Sequence, residues 1–333
     1  MTMIEPDIAI LGAGAWGTAL GVTLARAGRH VTLCARRAEQ CERMASEREN
    51  RGYLPGIELP QPLRLTCDWA AATREASVAI VAIPSSFVRA MLAPLAATFR
   101  PGITVISATK GLEELSLKTM TQALVELLPA GIQIAALSGP GFAAEIARGR
   151  PAALVAAARD EQVAGVVQRL LAVPFLRVYR SIDVLGVELG GAVKNVIAIA
   201  AGISDGLELG SSARAALITR GLAEMMRLGT AMGARRDTLA GLSGLGDLIL
   251  TCTGELSRNR AYGLRIGKGT EQPAGEGAQI AEGAANARLV RELGTRWEVE
   301  LPIVAAVCRC LYEDQPPQAM VEGLFSRELK AEF

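Results

Sequence analysis

The stretch Gly12-Ala13-Gly14-Ala15-Trp16-Gly17 decides the fold of this chain. It fits the pattern G-x-G-x-x-G, it follows an apolar run that ends at Leu11, and a helical pattern begins at its last glycine. In that setting Gly12 permits a tight turn, Gly14 lets the backbone approach a pyrophosphate, and Gly17 lets the helix pack on the strand. The helix N-terminus adds free N–H groups. The motif therefore predicts a dinucleotide site, whereas a glycine-rich turn without a ligand is the weaker alternative.

Short apolar β-type runs alternate with helical patterns through the first half of the chain, which is typical of a parallel sheet covered by helices on both faces. One predicted helix runs from Gly17 to Ala27 and ends at Gly28, and another runs from Ser116, as its cap, to Leu128. The predicted strands are Ile8–Leu11, His30–Ala35, Val78–Ile83, Thr104–Ala108, Gln133–Leu137, Ala153–Ala157 and Leu176–Tyr179.

After about Glu188 the pattern changes to Ala, Leu, Gly, Glu and Arg at helical spacing, and a long buried helix is predicted from Leu185 to Ile203. We therefore expect an α/β protein. A Rossmann-type, doubly wound N-terminal domain would cover residues 1–188, and an all-α C-terminal domain would cover residues 189–333.

The composition limits the possible functions. The 333 residues are 50% hydrophobic, and 35 Lys and Arg balance 34 Asp and Glu, so disorder and bulk attraction to nucleic acid are not expected. The uncharged run Ile8 to Ala25 contains four glycines and follows acidic residues, which disfavours a signal peptide or a membrane span. Six scattered cysteines without a C-x-x-C pair predict reduced thiols in a cytoplasmic protein and no metal site.

Two cations, Arg36 and Arg37, stand at the end of the second predicted strand. An NAD-selective site usually has an acid there to hold the ribose 2′-hydroxyl, whereas cations suit a 2′-phosphate. We expect NADPH or NADH as cofactor, with NADPH favoured through Arg36. For Arg37, simple solvation of a loop is an equally open interpretation.

A dehydrogenase needs a group that exchanges a proton with the alcohol as hydride moves. The one histidine, His30, lies at the entry to the second strand, which is the wrong edge of the sheet. Lys194 is the one charge between Leu189 and Ser204, on a helix expected to be buried, and an unpaired buried lysine is costly. Lys194 is thus a functional candidate, and a paired structural lysine is the alternative.

With these residues in view, the sequence resembles bacterial NAD(P)-dependent glycerol-3-phosphate dehydrogenase from its first strand to its last helix. The blocks that carry the resemblance occur in family order: Gly12 to Leu20, Leu54-Pro55-Gly56, Ala108 to Glu113, Leu137 to Pro140 with Phe142-Ala143, Lys194 to Ala198, Ala213 to Gly221, Gly241 to Thr253, Ser257 to Arg260, and Glu282-Gly283.

The resemblance implies a role for each matching residue. Lys194 would be the proton acceptor, with Lys110 and Asp247 as the other catalytic residues; all three would contact the substrate, and Lys110 the cofactor as well. The remaining substrate contacts would be Gly139, Gly141, Ser257, Arg258 and Asn259. The remaining cofactor contacts would be Gly12, Gly14, Ala15, Trp16, Gly17, Arg36, Arg37, Ala143, Arg258, Ile280 and Glu282.

Two of these positions depart from the family pattern, and one has independent support. The family commonly has Ser at the positions of Ala15 and Gly141, so side-chain contacts there are in doubt while main-chain contacts stay possible. Ser257 is predicted on its own pattern to cap a helix that continues to Arg265, which makes an anion site.

The resemblance implies interconversion of sn-glycerol 3-phosphate and dihydroxyacetone phosphate and a supply of glycerol 3-phosphate for glycerophospholipid synthesis. Separately, we expect a homodimer through the helical domain. A small phosphorylated substrate is the expected partner, without nucleic acid or stable membrane insertion. Two alternatives remain: another β-hydroxyacid dehydrogenase, against which the Ser-Arg-Asn phosphate-type site argues, and a dinucleotide-sensing protein without turnover. Oxidation of glycerol 3-phosphate compared with 3-hydroxyisobutyrate and 6-phosphogluconate tests the first alternative, and NADPH absorbance with dihydroxyacetone phosphate tests the second.

Overall fold

The computed structural model describes residues 7–271, 282–326, 328 and 331. The chain divides into two compact units, Met1–Glu188 and Leu189–Phe333. The first unit is built on a sheet, and the second is helical in its described part. An α/β fold with a Rossmann-type first half and a helical second half is confirmed.

The sheet of the first unit has eight strands in the part of the chain that is described, in the order β3-β2-β1-β4-β5-β6-β7-β8. The chain moves outward from β1 in one direction and then restarts at β4 on the other side. This leaves the switch point between β1 and β4, where such sheets bind ligands at their carboxyl edge. The strands are β1 Ile8–Leu11, β2 Val31–Cys34, β3 Arg64–Thr66, β4 Val78–Val81, β5 Thr104–Ser107, β6 Gln133–Ser138, β7 Ala152–Ala158 and β8 Leu176–Ser181.

Two features of the sheet differ from the predictions. β3 was not predicted, because Arg64, Leu65 and Thr66 are three residues without an apolar run. The expectation of a parallel sheet is wrong at β7, which runs antiparallel to β6. The helix between them has five residues and spans about 8 Å, whereas β6 is about 20 Å long, so this connection lacks a helix long enough to return along the sheet as the helix of a parallel crossover does.

Helices cover both faces of the sheet, since alternate residues of β1 enter different cores. Ile8 and Ile10 belong to one buried cluster, and Ala9 and Leu11 belong to another. The helices of this unit are α1 Ala15–Arg26, α2 Ala38–Glu47, α3 Trp69–Glu75, α4 Val88–Leu92, α5 Met120–Leu127, α6 Ala143–Ala147 and α7 Glu161–Leu171, with 3-10 turns at Ser85–Phe87 and Ala93–Thr98.

The predicted start of α5 at Ser116 is wrong. Thr119 caps this helix in a reciprocal capping box with Gln122. The Ser116 hydroxyl is instead engaged in the preceding turn, where it donates to Glu113 and accepts from the backbone N–H of Lys118. Two candidate caps lie three residues apart in the sequence, and only the second has a glutamine at the right distance.

The second unit begins within α8 Val184–Gly206, close to the predicted long helix. Among the described residues, α8 is the one helix with the length and apolarity of a membrane span, but 89% of its most apolar window is buried inside the protein. It is a core helix. The others are α9 Gly210–Ala231, α10 Arg236–Ala240, α11 Asp247–Thr253, α12 Arg258–Gly267, α13 Glu282–Arg296, α14 Pro302–Tyr312 and α15 Pro317–Phe325, with a π turn at Leu242–Gly246.

Helices α8 and α12 cross with their backbones in contact. A β-carbon at Gly202 would lie 2.0 Å from the carbonyl oxygen of Arg260, and one at Gly263 would lie 2.1 Å from that of Ile199. Any side chain at either position would push the helices apart. The crossing therefore fixes the start of α12 relative to the middle of α8 without an intervening side chain.

Candidate active site

The glycine-rich loop after β1 has two kinds of glycine. Gly12 adopts a φ of +119°, and a β-carbon there would lie 2.5 Å from the carbonyl oxygen of Ala82. A β-carbon at Gly17 would lie 1.9 Å from the carbonyl oxygen of Gly12. At Gly14 a β-carbon would meet nothing within 4 Å. The fold itself thus needs glycine at positions 12 and 17, whereas position 14 faces open space.

Ala15 and Trp16 begin α1 and lie beside the loop that precedes α6. The Trp16 indole nitrogen is buried, and no described residue pairs with it. A β-carbon at Gly141 would lie 3.7 Å from the Trp16 ring but 2.7 Å from the Cδ1 of Ile146. A serine at position 141, common in the family, would therefore require Ile146 to move, so this departure fits the local packing. Ala143 starts α6.

Arg36 and Arg37 follow β2 and are both exposed. The carbonyl of the preceding residue, Ala35, accepts a 2.8 Å hydrogen bond from the indole of Trp69, which holds the end of the strand in place. The two guanidinium groups therefore extend into solvent from a fixed backbone at the carboxyl edge of the sheet.

Lys110 lies at the same edge, after β5. Its ammonium donates to the carbonyl of Gly139, after the neighbouring strand β6, at 3.3 Å. The Thr109 hydroxyl donates to the carbonyl of Ile83, after β4, at 2.7 Å. The structure thus brings Lys110 and Gly139 together through the ends of adjacent strands.

In the second unit, Lys194 and Asp247 form a buried ion pair. The Lys194 Nζ donates to the Asp247 Oδ1 at 2.6 Å, and the two side chains are 7% and 1% exposed. Lys194 also donates to the Thr251 hydroxyl at 2.7 Å, and that hydroxyl donates to the Asp247 carbonyl at 2.6 Å. Burial of a lysine is therefore compensated by a charge and a hydroxyl. Sequence reasoning missed Thr251, although it stands one helical turn after Asp247.

The π turn before α11 places Asp247 beside Lys194. This turn packs against α8 at Gly190, where a β-carbon would lie 2.4 Å from the carbonyl oxygen of Ser243. Gly190 precedes Lys194 by one helical turn, so the close approach occurs on the same face of α8 as the lysine. Single π turns within helices are frequent at functional sites.

The start of α12 presents Ser257, Arg258 and Asn259. Buried Ser257 caps the helix by accepting from the Arg260 backbone N–H at 3.2 Å, as predicted. Arg258 is 80% exposed and lies 3.5 Å from the Glu282 carboxylate. Asn259 is buried, and its side-chain oxygen accepts from the backbone N–H of Gly283 at 2.9 Å. These residues, together with Glu282, form one group in the second unit. Ile280, also predicted to contact the cofactor, lies outside the described residues.

Metal and thiol chemistry receive no support from the described residues. No group of three or more His, Cys, Asp or Glu in that part of the chain could hold a metal ion. The six cysteines are free. Cys252 lies on α11 near Lys194, but burial raises its pKa to about 12, so it stays a neutral thiol.

Comparison with known proteins identifies the family. Residues 7–164 match the model for the N-terminus of NAD-dependent glycerol-3-phosphate dehydrogenase, and residues 183–322 match the model for its C-terminus. The chain belongs to the NAD-dependent glycerol-3-phosphate dehydrogenase family. A relative from Geobacter sulfurreducens, glycerol-3-phosphate dehydrogenase [NAD(P)+], is 49% identical over 98% of both chains.

Solved structures agree with this family. The crystal structure of glycerol-3-phosphate dehydrogenase from Coxiella burnetii is 39% identical, with a TM-score of 0.91 over 97% of this chain and 99% of that one. A 3-hydroxyisobutyrate dehydrogenase from Salmonella typhimurium, 15% identical with a TM-score of 0.53 over 96% and 99% of the two chains, shares the fold alone. The alternative of another β-hydroxyacid dehydrogenase therefore has only the fold in its favour.

Proposed function

We propose that this chain interconverts sn-glycerol 3-phosphate and dihydroxyacetone phosphate, with NADPH or NADH as the redox partner. The observation that carries the proposal is the buried Lys194–Asp247 pair with its 2.6 Å contact, in a chain that matches its family along almost its whole length. We assign coenzyme binding to the sheet unit, residues 1–188, and substrate binding and proton transfer to the helical unit, residues 189–333.

In the direction of reduction, protonated Lys194 gives a proton to the oxygen on carbon 2 as that oxygen gains electron density. Asp247 compensates the charge of the buried ammonium and holds it in place through the 2.6 Å contact. Thr251 holds the same nitrogen from a second direction at 2.7 Å. In the reverse direction, Lys194 accepts the proton from the alcohol.

The phosphate of the substrate is assigned to the start of α12. The Ser257 cap keeps the N-terminus of this ten-residue helix in register, and N–H groups at a helix N-terminus favour an anion. Arg258 is largely exposed and can present its planar group of donors to a phosphate. Lys110, Gly139, Gly141 and Asn259 are the remaining assigned substrate contacts.

The residues after β1 fit a dinucleotide. The open space at Gly14 and the start of α1, which has no side-chain cap, offer room and backbone donors for a pyrophosphate. Arg36, with Arg37 beside it, would hold a 2′-phosphate, and Ala143 and Glu282 would border the coenzyme. Once bound, the nicotinamide would supply the hydride to carbon 2 or accept it.

The cellular part of the proposal is a cytoplasmic homodimer, paired through the helical unit, that supplies glycerol 3-phosphate for glycerophospholipid synthesis. The balanced charge and the six free cysteines are compatible with a reducing compartment. Sedimentation of the purified chain tests the oligomeric state.

The deciding experiment follows NADPH and NADH absorbance with dihydroxyacetone phosphate as substrate. Oxidation of glycerol 3-phosphate is compared with that of 3-hydroxyisobutyrate and 6-phosphogluconate in the same assay. Turnover restricted to the phosphorylated three-carbon pair supports the proposal. Faster oxidation of either acid would place the chain's activity elsewhere in the superfamily, and coenzyme binding without turnover of any substrate would favour a sensing role.

A further inference from the structure

Two buried amides hold one carbonyl of the glycine-rich loop. The Ala13 oxygen accepts from the Gln40 Nε2 at 3.0 Å and from the Asn50 Nδ2 at 3.0 Å. Gln40 lies on α2 and is 7% exposed, and Asn50 lies in the following loop and is 3% exposed. The Asn50 amide also donates to the Thr18 hydroxyl on α1 at 2.7 Å. The Ala13 carbonyl thus links the glycine-rich loop to α2 and to the loop that follows α2.

This arrangement sets the direction of the next amide. The Ala13 carbonyl and the Gly14 N–H belong to one planar trans peptide, in which the oxygen and the hydrogen point to opposite sides. Since the oxygen points at Gln40 and Asn50, the Gly14 N–H points away from them. No described residue accepts a hydrogen bond from this N–H, and the loop is open at Gly14.

We propose that Gln40 and Asn50 are positioning residues that lock the Ala13–Gly14 peptide with its N–H toward the coenzyme pyrophosphate. This inference rests on the proposed coenzyme site. A glycine offers little resistance to rotation of the neighbouring peptide. Without the two amides the peptide can turn over and present the carbonyl oxygen to the anion, which replaces an attraction by a repulsion.

The test uses substitutions that keep the shape and remove the donor. Asn50→Asp and Gln40→Glu each replace an amide NH2 by an acceptor oxygen opposite the Ala13 carbonyl. Gln168→Glu is the matched control, because the Gln168 Nε2 donates to the Val178 carbonyl at 2.8 Å, between α7 and β8. It makes the same chemical change at a backbone carbonyl remote from the loop.

Dissociation constants for NADP+ are measured by quenching of tryptophan fluorescence, and melting temperatures are measured without coenzyme. We expect each loop variant to bind NADP+ about tenfold more weakly, because each loses a buried hydrogen bond and gains a repulsion. The control should melt lower while its affinity for NADP+ stays at the wild-type value. Gln40 and Asn50 are tested in separate variants. If one variant fails to fold, the other still tests the inference.

A pH series separates positioning from general damage. A protonated carboxyl group can donate to the Ala13 carbonyl again, so the affinity lost in Asn50→Asp should return as the pH is lowered toward the ordinary carboxyl range, about 4. Folded variants that bind NADP+ as well as wild type, or an equal loss in Gln168→Glu, overturn the inference while the proposed function stands. A wild-type chain that binds neither coenzyme overturns the proposed function and this inference with it.

Discussion

The Lys194 ammonium and the Asp247 carboxylate lie 2.6 Å apart although 53 positions separate them in the chain. Both are buried, and Thr251 completes their contacts at 2.7 Å. The pair joins α8 to α11, and the packing of the π turn on Gly190 keeps those helices close. Substitutions at Lys194 should therefore affect proton transfer, whereas substitutions at Gly190 should affect the packing that holds the pair together.

Replacement of the lysine tests its role in proton transfer. Lys194→Met keeps a stem of similar length and removes the proton donor, so turnover should fall by about a hundred- to ten-thousand-fold while the dissociation constant for NADP+ is unchanged. Thr251→Val removes one contact of the ammonium and leaves the ion pair, so its loss should be smaller. Retention of a tenth of the wild-type turnover by Lys194→Met would assign the proton to another group, with Lys110 next.

Gly190 should be indispensable for the geometry of the pair. Gly190→Ala places a methyl group 2.4 Å from the Ser243 carbonyl oxygen, so α8 and the π turn must separate and the Lys194–Asp247 contact must lengthen. Turnover and melting temperature should both fall. Gly323→Ala on α15 is the matched control, since a β-carbon there meets nothing within 4 Å and alanine favours a helix. Equal behaviour of the two variants would contradict the packing argument.

Arg258 should select the phosphorylated substrate. Arg258→Ala should raise the KM for dihydroxyacetone phosphate about ten- to a hundredfold, as expected for a charged hydrogen bond. Free dihydroxyacetone, if the enzyme reduces it, should be affected far less. Arg265→Ala changes the same residue type near the other end of α12, where Arg265 pairs with Glu271, and should leave both constants near wild type. Equal losses for the two substrates in Arg258→Ala would move the phosphate to other residues.

Arg36 should set the preference for NADPH. Arg36→Asp exchanges an attraction to the 2′-phosphate for a repulsion and offers an acceptor to the 2′-hydroxyl of NADH. The ratio of the two dissociation constants should shift toward NADH by at least about tenfold. Arg43→Asp, an exposed arginine on α2, makes the same charge change as a control. An unchanged ratio in Arg36→Asp would show that another group reads the 2′-position.

Glu188 should make stability depend on pH. Burial raises the pKa of Glu188 above its ordinary 4.5, although hydrogen bonds from Thr121 act in the opposite direction. The folded state then prefers the protonated acid, so wild type loses stability as the pH rises from 4.5 through the raised value. Glu188→Gln lacks this loss. Its stability relative to wild type, measured by urea unfolding, should therefore increase with pH over that interval.

Glu113 supplies the opposite case. The Arg89 guanidinium beside it lowers the pKa of this carboxyl, so its contribution to stability is present above the ordinary pKa and is lost as the pH falls through the lowered value. Glu113→Gln should be less stable than wild type at neutral pH, and the difference should shrink in acid. The same slope for both variants would mean that neither carboxyl controls the pH dependence.

The features predicted best from the sequence are those set by neighbours along the chain. The strand, glycine loop and helix at Gly12 to Gly17 are such a local pattern, and Lys194 could be selected because no other charge lies nearby on an apolar helix. The Ser257 cap was predicted for the same reason.

Features that depend on tertiary packing were missed or came only from the family resemblance. Asp247 has no local signal, because its position beside Lys194 depends on the π turn that rests on Gly190. Thr251 could have been found only as the residue one turn after Asp247 on the same helix face. The hydrogen bonds from Gln40 and Asn50 to Ala13 join three segments that no periodicity relates.

The backbone contact between α8 and α12 fixes the distance between the middle of α8 and the start of α12. Lys194 lies two turns before Gly202 on α8, and the residues to which we assign the phosphate begin α12, so under the proposed function this main-chain contact sets the spacing between the proton donor and the phosphate site. The crossing positions Gly202 and Gly263 are already glycines, so this distance cannot be adjusted by trimming a side chain there. Redesign of this scaffold for a four-carbon phosphate would thus have to move the start of α12 itself, because enlarging Gly202 or Gly263 would disrupt the helical unit before it made room for another carbon.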